Sequence, residues 1–108
     1  MMSTFRDLVE GTYQLDLPFG RLNIPDPSSR PLAFIKFMAD KVKGVLGKRG
    51  MATSAKVEVW PAKDQLTVGR AGRESILQVR NGFPVLDGHT YDPTQVGEMV
   101  RDIINGVV

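Results

Sequence analysis

The centre of the chain alternates apolar and polar positions with a period of two, the pattern of half-buried antiparallel strands. Between two of these runs stands Asn81-Gly82, which strongly favours a two-residue hairpin because both turn residues need positive φ. We therefore predict a β-meander of three to four strands over residues 55–86, with one apolar face. The alternating apolar pairs are Val57 and Val59, Leu66 and Val68, and Leu77 and Val79.

Helical spacing replaces this alternation on both sides of the meander. Pro31 suits the first turn of a helix over residues 31–47, which ends in glycines and cations. A second helix, residues 92–105, begins with the capping signals Asp92, Pro93 and Gln95, and we expect it to lie across the sheet. The apolar stripe of the first helix comprises Leu32, Ile35, Met38, Ala39, Val42, Val45 and Leu46.

The N-terminal part of the chain has weaker signals. A short helix is predicted from Ser3 or Thr4 to Gly11, followed by a short extra strand over residues 13–17. Four prolines between residues 18 and 31 favour an ordered but irregular loop, because proline removes a backbone donor and restricts the residue before it. Pro84 predicts that its strand lies at a sheet edge or ends early.

Composition fits one soluble α+β domain. The 108 residues are 42% hydrophobic and 24% charged, values typical of a single globular domain rather than of a disordered chain. We expect an antiparallel meander of three to four strands packed against two or three helices, the C-terminal helix crossing the sheet. The single domain, 1–108, divides into an N-terminal helix and proline-rich loop (1–30), a helix (31–47), the meander (55–86) and the C-terminal helix (92–105).

Cysteine is absent, which excludes disulfides and thiolate chemistry. No apolar run approaches the roughly 18–20 residues that span a bilayer, and the N-terminus lacks the pattern of a signal peptide. We therefore expect a soluble cytoplasmic protein that does not bind membranes.

Charge is distributed unevenly although the net charge is only +2. Residues 30–80 contain 11 of the 14 Lys and Arg residues and only four acidic residues, whereas both flanking segments are acidic. Such asymmetry predicts a basic surface that attracts polyanions. The alternative is that these cations are scattered over a solvated surface.

Catalytic signals are weak. His89 is the only histidine, and it stands in a turn near Asp87 and Asp92 without a nucleophile or a metal-ligand spacing. No phosphate-binding loop or dinucleotide motif is present. We expect no enzymatic activity, no cofactor and no metal.

The loop GRAGR, residues 69–73, is the remaining motif. Its glycines expose backbone N–H groups, and Arg70 and Arg73 suit phosphate oxygens. This loop is similar to the glycine loop of KH-type nucleic-acid-binding domains, which joins two helices. That resemblance implies helices over residues 62–68 and 73–81, whereas the alternation predicts strands there, with the loop as an ordinary hairpin. The chain is not assigned to that family.

Two functions remain open. The first is a small non-catalytic module that contacts nucleic-acid phosphates, with Phe37 or Trp60 as a stacking group or partner anchor. The second is a protein-interaction module (an adaptor, a regulator or a homo-oligomeric subunit) that uses the Phe37 face of the helix or an exposed sheet edge. The predicted phosphate contacts are Lys41, Lys43, Lys48, Arg49, Arg70 and Arg73.

Overall fold

A computed structural model describes residues 12–18 and 20–108 of the chain, so the predicted helix over residues 3–11 lies outside the described residues. The strands are β1 (Thr12–Leu17), β2 (Gly20–Pro25), β3 (Lys56–Trp60), β4 (Gln65–Arg70), β5 (Arg73–Arg80), β6 (Phe83–Leu86) and β7 (His89–Thr90). The helices are α1 (Pro31–Lys48) and α2 (Val96–Asn105), and a 3-10 turn spans Pro61–Lys63.

The architecture is α+β, with two antiparallel sheets. Strands β3 to β7 form a five-stranded meander in sequence order, and β1 and β2 form a separate hairpin. The prediction of three to four strands was therefore too low for the described chain. The predicted irregular loop after Pro18 contains β2, because its prolines flank the strand: Pro18 precedes it, and Pro25 is its last residue.

Three hairpin turns of the meander have the same backbone conformation. Ala71-Gly72, Asn81-Gly82 and Asp87-Gly88 all have positive φ at both central residues, as a type I′ turn requires. The hairpin predicted at Asn81-Gly82 is confirmed, with Arg80 opposite Phe83. Because Ala71-Gly72 joins two strands, β4 and β5, the helix pair implied by the KH resemblance does not form over residues 65–80.

The helices cover one face of the meander. Helix α1 packs on β3, β4 and β5, while α2 packs on β5 and against α1. The register aligns the inward apolar residues, with Leu66 opposite Leu77 and Leu77 opposite Leu86. Strand β2 also packs on α1, so the helix buries a wider stripe than was predicted, including Phe34.

Pro84 lies in an inner strand, contrary to the prediction of an edge position. Its carbonyl accepts a hydrogen bond from the N–H of Tyr91, on the side of β7. Because the N and O atoms of one strand residue point to the same side, the missing N–H costs no bond to β5. The proline is tolerated for that reason.

Helix α2 begins at Val96, four residues after the predicted start at Asp92. The capping residues instead order the preceding turn. The Asp92 N–H donates to Gln95 Oε1 at 2.8 Å, and the Thr94 N–H donates to Asp92 Oδ1 at 2.9 Å. Part of the hydrogen bonding of a capping box is thus present, but it stabilises the turn before α2 and does not cap the first turn of the helix.

The C-terminal end of α2 is fixed by the sheet. The buried Ser75 of β5 donates its hydroxyl to the Ile103 carbonyl at 2.9 Å. This contact requires glycine at position 106, because a Cβ atom there would collide with Ser75 Oγ. One buried hydroxyl therefore connects the helix layer to the centre of the sheet.

We predict that Gly106→Ala destabilises the protein by about 1–3 kcal/mol, since it displaces a buried hydroxyl from its acceptor. Gly97→Ala is the matched control, because a Cβ atom at that position of α2 meets nothing within 4 Å. The control should be neutral or stabilising by up to about 1 kcal/mol. Chemical denaturation of the two variants tests this, and equal stabilities would contradict it.

Candidate functional site

The outward face of α1 carries four exposed lysines. At 100° per residue they form two rows, Lys36 with Lys43 and Lys41 with Lys48. Between the rows runs a strip that contains two glycines. The rows extend for about 18 Å along the helix at 1.5 Å per residue.

These lysines lack carboxylate partners among the described residues. Asp40 is the only acidic residue of α1, and the described ion pairs, Lys56 with Glu58 at 3.5 Å and Arg101 with Asp102 at 3.2 Å, lie elsewhere. Asp40 is exposed on the same face, between the two rows, and offsets one of the four positive charges, so the face retains a net charge of +3. Its field is available to a bound anion.

Phe37 does not stand out from this face. Its ring is half-buried and packs against the core, with the Lys41 ammonium 5.3 Å from the ring centroid. The ring therefore supports Lys41 through a cation–π contact. It offers less surface to a partner than the sequence interpretation assumed.

The cations continue from α1 to the β4–β5 hairpin. Arg49 ends the helix, and a turn from Met51 to Ser54 follows, in which Ser54 Oγ donates to the Met51 carbonyl at 3.3 Å. The Arg70 Nε donates to the same Ser54 Oγ at 3.0 Å. The structure thus brings Arg70 to within one short turn of the end of α1.

Arg70 and Arg73 both contact the end of the chain after α2. Arg70 Nη1 donates to the Val107 carbonyl at 3.4 Å, and Arg73 Nη1 donates to the Val108 carbonyl at 2.9 Å. Both acceptors lie after the last residue of α2, Asn105, so each arginine donates to a backbone carbonyl that has left the helix. The two arginines therefore have a structural role, whether or not they also bind a ligand.

A groove separates α1 from β3, which forms one edge of the sheet. It has a volume of about 270 Å³ and is mainly apolar, with one cation at its rim. An edge strand beside an apolar groove is the geometry that accepts an added strand. The lining residues are Lys43, Leu46, Ala52, Ala55 and Val57.

The face of the meander that points away from the helices carries two exposed aromatic rings. Trp60 is 42% exposed and Phe83 is 49% exposed. Trp60 was among the predicted residues, but Phe83 and its cross-strand partner Arg80 were missed. The Asn81-Gly82 sequence was sufficient to predict this pair, because a two-residue hairpin places the residues on either side of the turn opposite each other.

A polar cluster surrounds Tyr91 where β7 meets α2. The buried Tyr91 donates its hydroxyl to Asp102 Oδ2 at 2.6 Å, and the His89 ring lies edge-on at 4.5 Å from the Tyr91 ring. Burial, and then the hydrogen bond to Asp102, raise the pKa of Tyr91 to about 12. The same hydrogen bond, with help from Arg101, lowers the pKa of Asp102. Both pKa shifts reflect the hydrogen bond that joins Tyr91, directly after β7, to α2.

Comparison with known proteins assigns no family. The chain matches no protein-family model, no curated protein and no solved structure. Among the described residues, no group of three or more His, Asp or Glu side chains is placed to hold a metal ion. Neither described helix is long and apolar enough to cross a membrane.

We predict that Tyr91→Phe lowers the melting temperature by a few degrees near neutral pH, because it removes the bond to Asp102. The loss should shrink as the pH falls below 3.8, the ordinary pKa of an aspartate. In that range Asp102 binds a proton in the unfolded chain, whereas in the folded protein its lowered pKa keeps it charged. It should also shrink as the pH rises from 10.0 towards about 12. In that range Tyr91 ionises in the unfolded chain but stays neutral in the folded protein, which lowers the stability of the wild type. A loss of equal size at every pH would contradict this assignment.

Asp102→Asn is the control for that titration. It keeps an oxygen acceptor for the tyrosine but removes the carboxylate charge. The melting temperature of this variant should therefore no longer depend on protonation of residue 102 at acidic pH. It should still fall at alkaline pH, where Tyr91 ionises in the unfolded chain.

We also predict that Gly44→Ala and Gly47→Ala each stabilise the unliganded protein by about 0.5–1 kcal/mol. Both glycines are exposed in the interior of α1, and a Cβ atom at either position meets nothing within 4 Å. Urea denaturation measures the effect. Destabilisation of either variant would show that a neighbouring segment occupies that space.

Proposed function

We propose that this protein is a small non-catalytic binding module that contacts the phosphates of a nucleic acid. The contact surface, here called the basic surface, comprises Lys41, Lys43, Lys48, Arg49, Arg70 and Arg73. One observation carries the proposal: the exposed lysines of α1 form no ion pair among the described residues, outnumber Asp40 on their face of the helix, and lead through Arg49 to the arginine-bearing hairpin. A surface with such an excess of cations attracts a polyanion.

The lysines should contribute most of the affinity. Each ends in a hydrated point charge on a flexible stem, which attracts a phosphate with little demand on geometry. Contacts of this kind position a nucleic acid without reading its sequence. The two rows of lysines flank a strip that contains Gly44 and Gly47 but also the exposed Asp40, so a phosphate backbone can approach α1 closely only beside the two glycines.

The arginines should contribute less than their charge suggests. Arg70 already uses Nε and Nη1, and Arg73 uses Nη1, to hold carbonyls and a hydroxyl. Each guanidinium has five N–H donors, so some donors remain for phosphate oxygens. The partial negative charge of the nearby carbonyls reduces the field that a phosphate experiences there.

Fluorescence anisotropy with a labelled duplex of about 20 base pairs tests the proposal across a salt series. We expect Lys43→Gln/Lys48→Gln to bind more weakly and to reduce the slope of log K against log salt by about 2, since each lost duplex phosphate contact contributes about 0.9. Lys56→Gln/Arg101→Gln removes the same net charge from residues that are already ion-paired, and it should bind almost as tightly as the wild type.

Two results would refute the basic surface. One is the absence of measurable binding at low salt. The other is equal affinity of the two double variants, which would mean that only net charge matters. Circular dichroism of each variant confirms that it is folded.

A second candidate is a protein-interaction module, and the groove beside β3 is the observation that favours it. A partner strand could add to the edge of β3 and place apolar side chains in the groove near Val57. Sedimentation velocity over a wide concentration range tests the homo-oligomeric version. A monomer at every concentration would rule that version out.

A further inference from the structure

Opposite the helices the meander has a second face, here called the open face, on which no other described helix or strand packs extensively. Its orientation follows from the register, because Ser75 and Leu77 point to the helices and their neighbours must point away. Cross-strand pairing then connects the outward positions of β3, β4, β5 and β6. At one end of the open face the outward residues are Trp60, Gln65, Gln78, Arg80, Phe83 and Val85, whereas the acidic Glu58 and Glu74 lie towards the other end.

Each exposed ring on this face lies next to a cation. The Lys63 ammonium is 5.8 Å from the centroid of the Trp60 ring, and Arg80 lies directly opposite Phe83 across the hairpin. Both pairs are at the same end of the sheet. An aromatic face beside a positive charge matches a nucleotide, which combines a flat base with a phosphate.

A chain of hydrogen bonds fixes the surface between the two rings. Arg80 Nε donates to Gln78 Oε1 at 3.2 Å, and Gln78 Nε2 donates to Gln65 Oε1 at 2.8 Å. The Gln65 amide then donates to Thr67 Oγ1 at 3.1 Å. This chain orders the Arg80 side chain through Nε and uses neither of its two Nη groups, so less entropy is lost when a ligand binds.

The spacing of the rings separates this surface from an ordinary protein contact patch. Strands β4 and β5 separate β3 from β6, which is roughly 14 Å at 4.8 Å per strand, and Phe83 lies two residues further along the strand than the position level with Trp60, so the two backbone positions are about 16 Å apart. The residues level with Trp60 on the two intervening strands, Gln65 and Gln78, are polar. A protein hot spot gathers apolar groups at its centre, whereas a nucleic acid strand needs separate stacking sites along its length.

We infer that the open face binds single-stranded nucleic acid, with bases stacked on Trp60 and Phe83 and phosphates held by Lys63 and Arg80. The inference rests on the proposed function for its ligand class, a nucleic acid. It adds that this nucleic acid is single-stranded and that a second surface of the protein binds it. Duplex bases are already stacked on each other, so they cannot offer a face to these rings.

Trp60 provides a direct test, because it is the only tryptophan of the chain. Titration of the protein with an oligothymidylate of about ten nucleotides should quench Trp60 fluorescence. An abasic oligomer with the same number of phosphates should not quench it, and neither should a duplex of that length. Quenching of equal size by the abasic oligomer or the duplex would overturn the inference.

Substitution of the rings gives a second readout. Phe83→Leu should weaken the oligothymidylate affinity about 5- to 100-fold, the range for losing one stacked base. Trp60→Leu should do the same when binding is measured by anisotropy. Phe83→Tyr is the matched control, because it keeps an aromatic ring at the same position and should leave the affinity within about twofold. Equal affinity of wild type and Phe83→Leu would overturn the inference.

The outcomes separate the two proposals. If Lys43→Gln/Lys48→Gln weakens binding but Trp60 fluorescence never responds, the basic surface is supported and the open face is refuted. If Trp60 is quenched and Phe83→Leu binds weakly, while the lysine variant binds normally, the open face is supported and the basic surface is refuted. Absence of all nucleic-acid binding refutes both and leaves a protein as the partner.

Discussion

The end of α2 and the residues after it are held by donors from the β4–β5 hairpin, and the position of α2 over the sheet depends on this contact. A helix end leaves backbone carbonyls without intrahelical partners, and burying one of them unpaired, such as that of Ile103, would be costly. Ser75, Arg70 and Arg73 supply hydrogen-bond donors to Ile103, Val107 and Val108. The same contact fixes the position of α2 over the sheet and the conformation of the hairpin tip. It therefore determines where the basic surface ends.

This arrangement divides the cations of the basic surface into two kinds. The lysines of α1 are exposed and have no carboxylate partner among the described residues, so they can follow a flexible ligand. The arginines are anchored: Arg70 is opposite Arg73 in the register, and each donates a hydrogen bond to a backbone carbonyl after α2. These carbonyl acceptors offset part of the repulsion between the two like charges. Affinity and stability therefore depend on different residues, which is why substitutions of lysine, rather than of arginine, isolate the binding effect.

Local patterns predicted the strands and helices well, and long-range contacts explain most of what they missed. Alternation identified β3 to β6, and helical spacing identified α1 to within one residue. The two-residue β7 is too short for any periodic signal, and β2 lies in a segment whose prolines suggested a loop. The acceptors of Arg70 and Arg73 stand 35 or more positions away in sequence, so no motif of the hairpin could indicate them. Phe83 is different, since the turn before it already determined its cross-strand partner.

The two proposed surfaces lie on opposite faces of one sheet, and the charge distribution favours one path between them. Helix α1 lies over β3, which is the edge strand of the sheet on that side. The segment from Asp87 to Asp102, which includes β7 and most of α2, carries four carboxylates and one arginine, which is itself ion-paired. A polyanion that engaged both surfaces would be repelled from this segment and would have to pass around β3. The groove and free edge of β3 would then lie under the nucleic acid, so a protein strand and a nucleic acid could not occupy this edge at the same time.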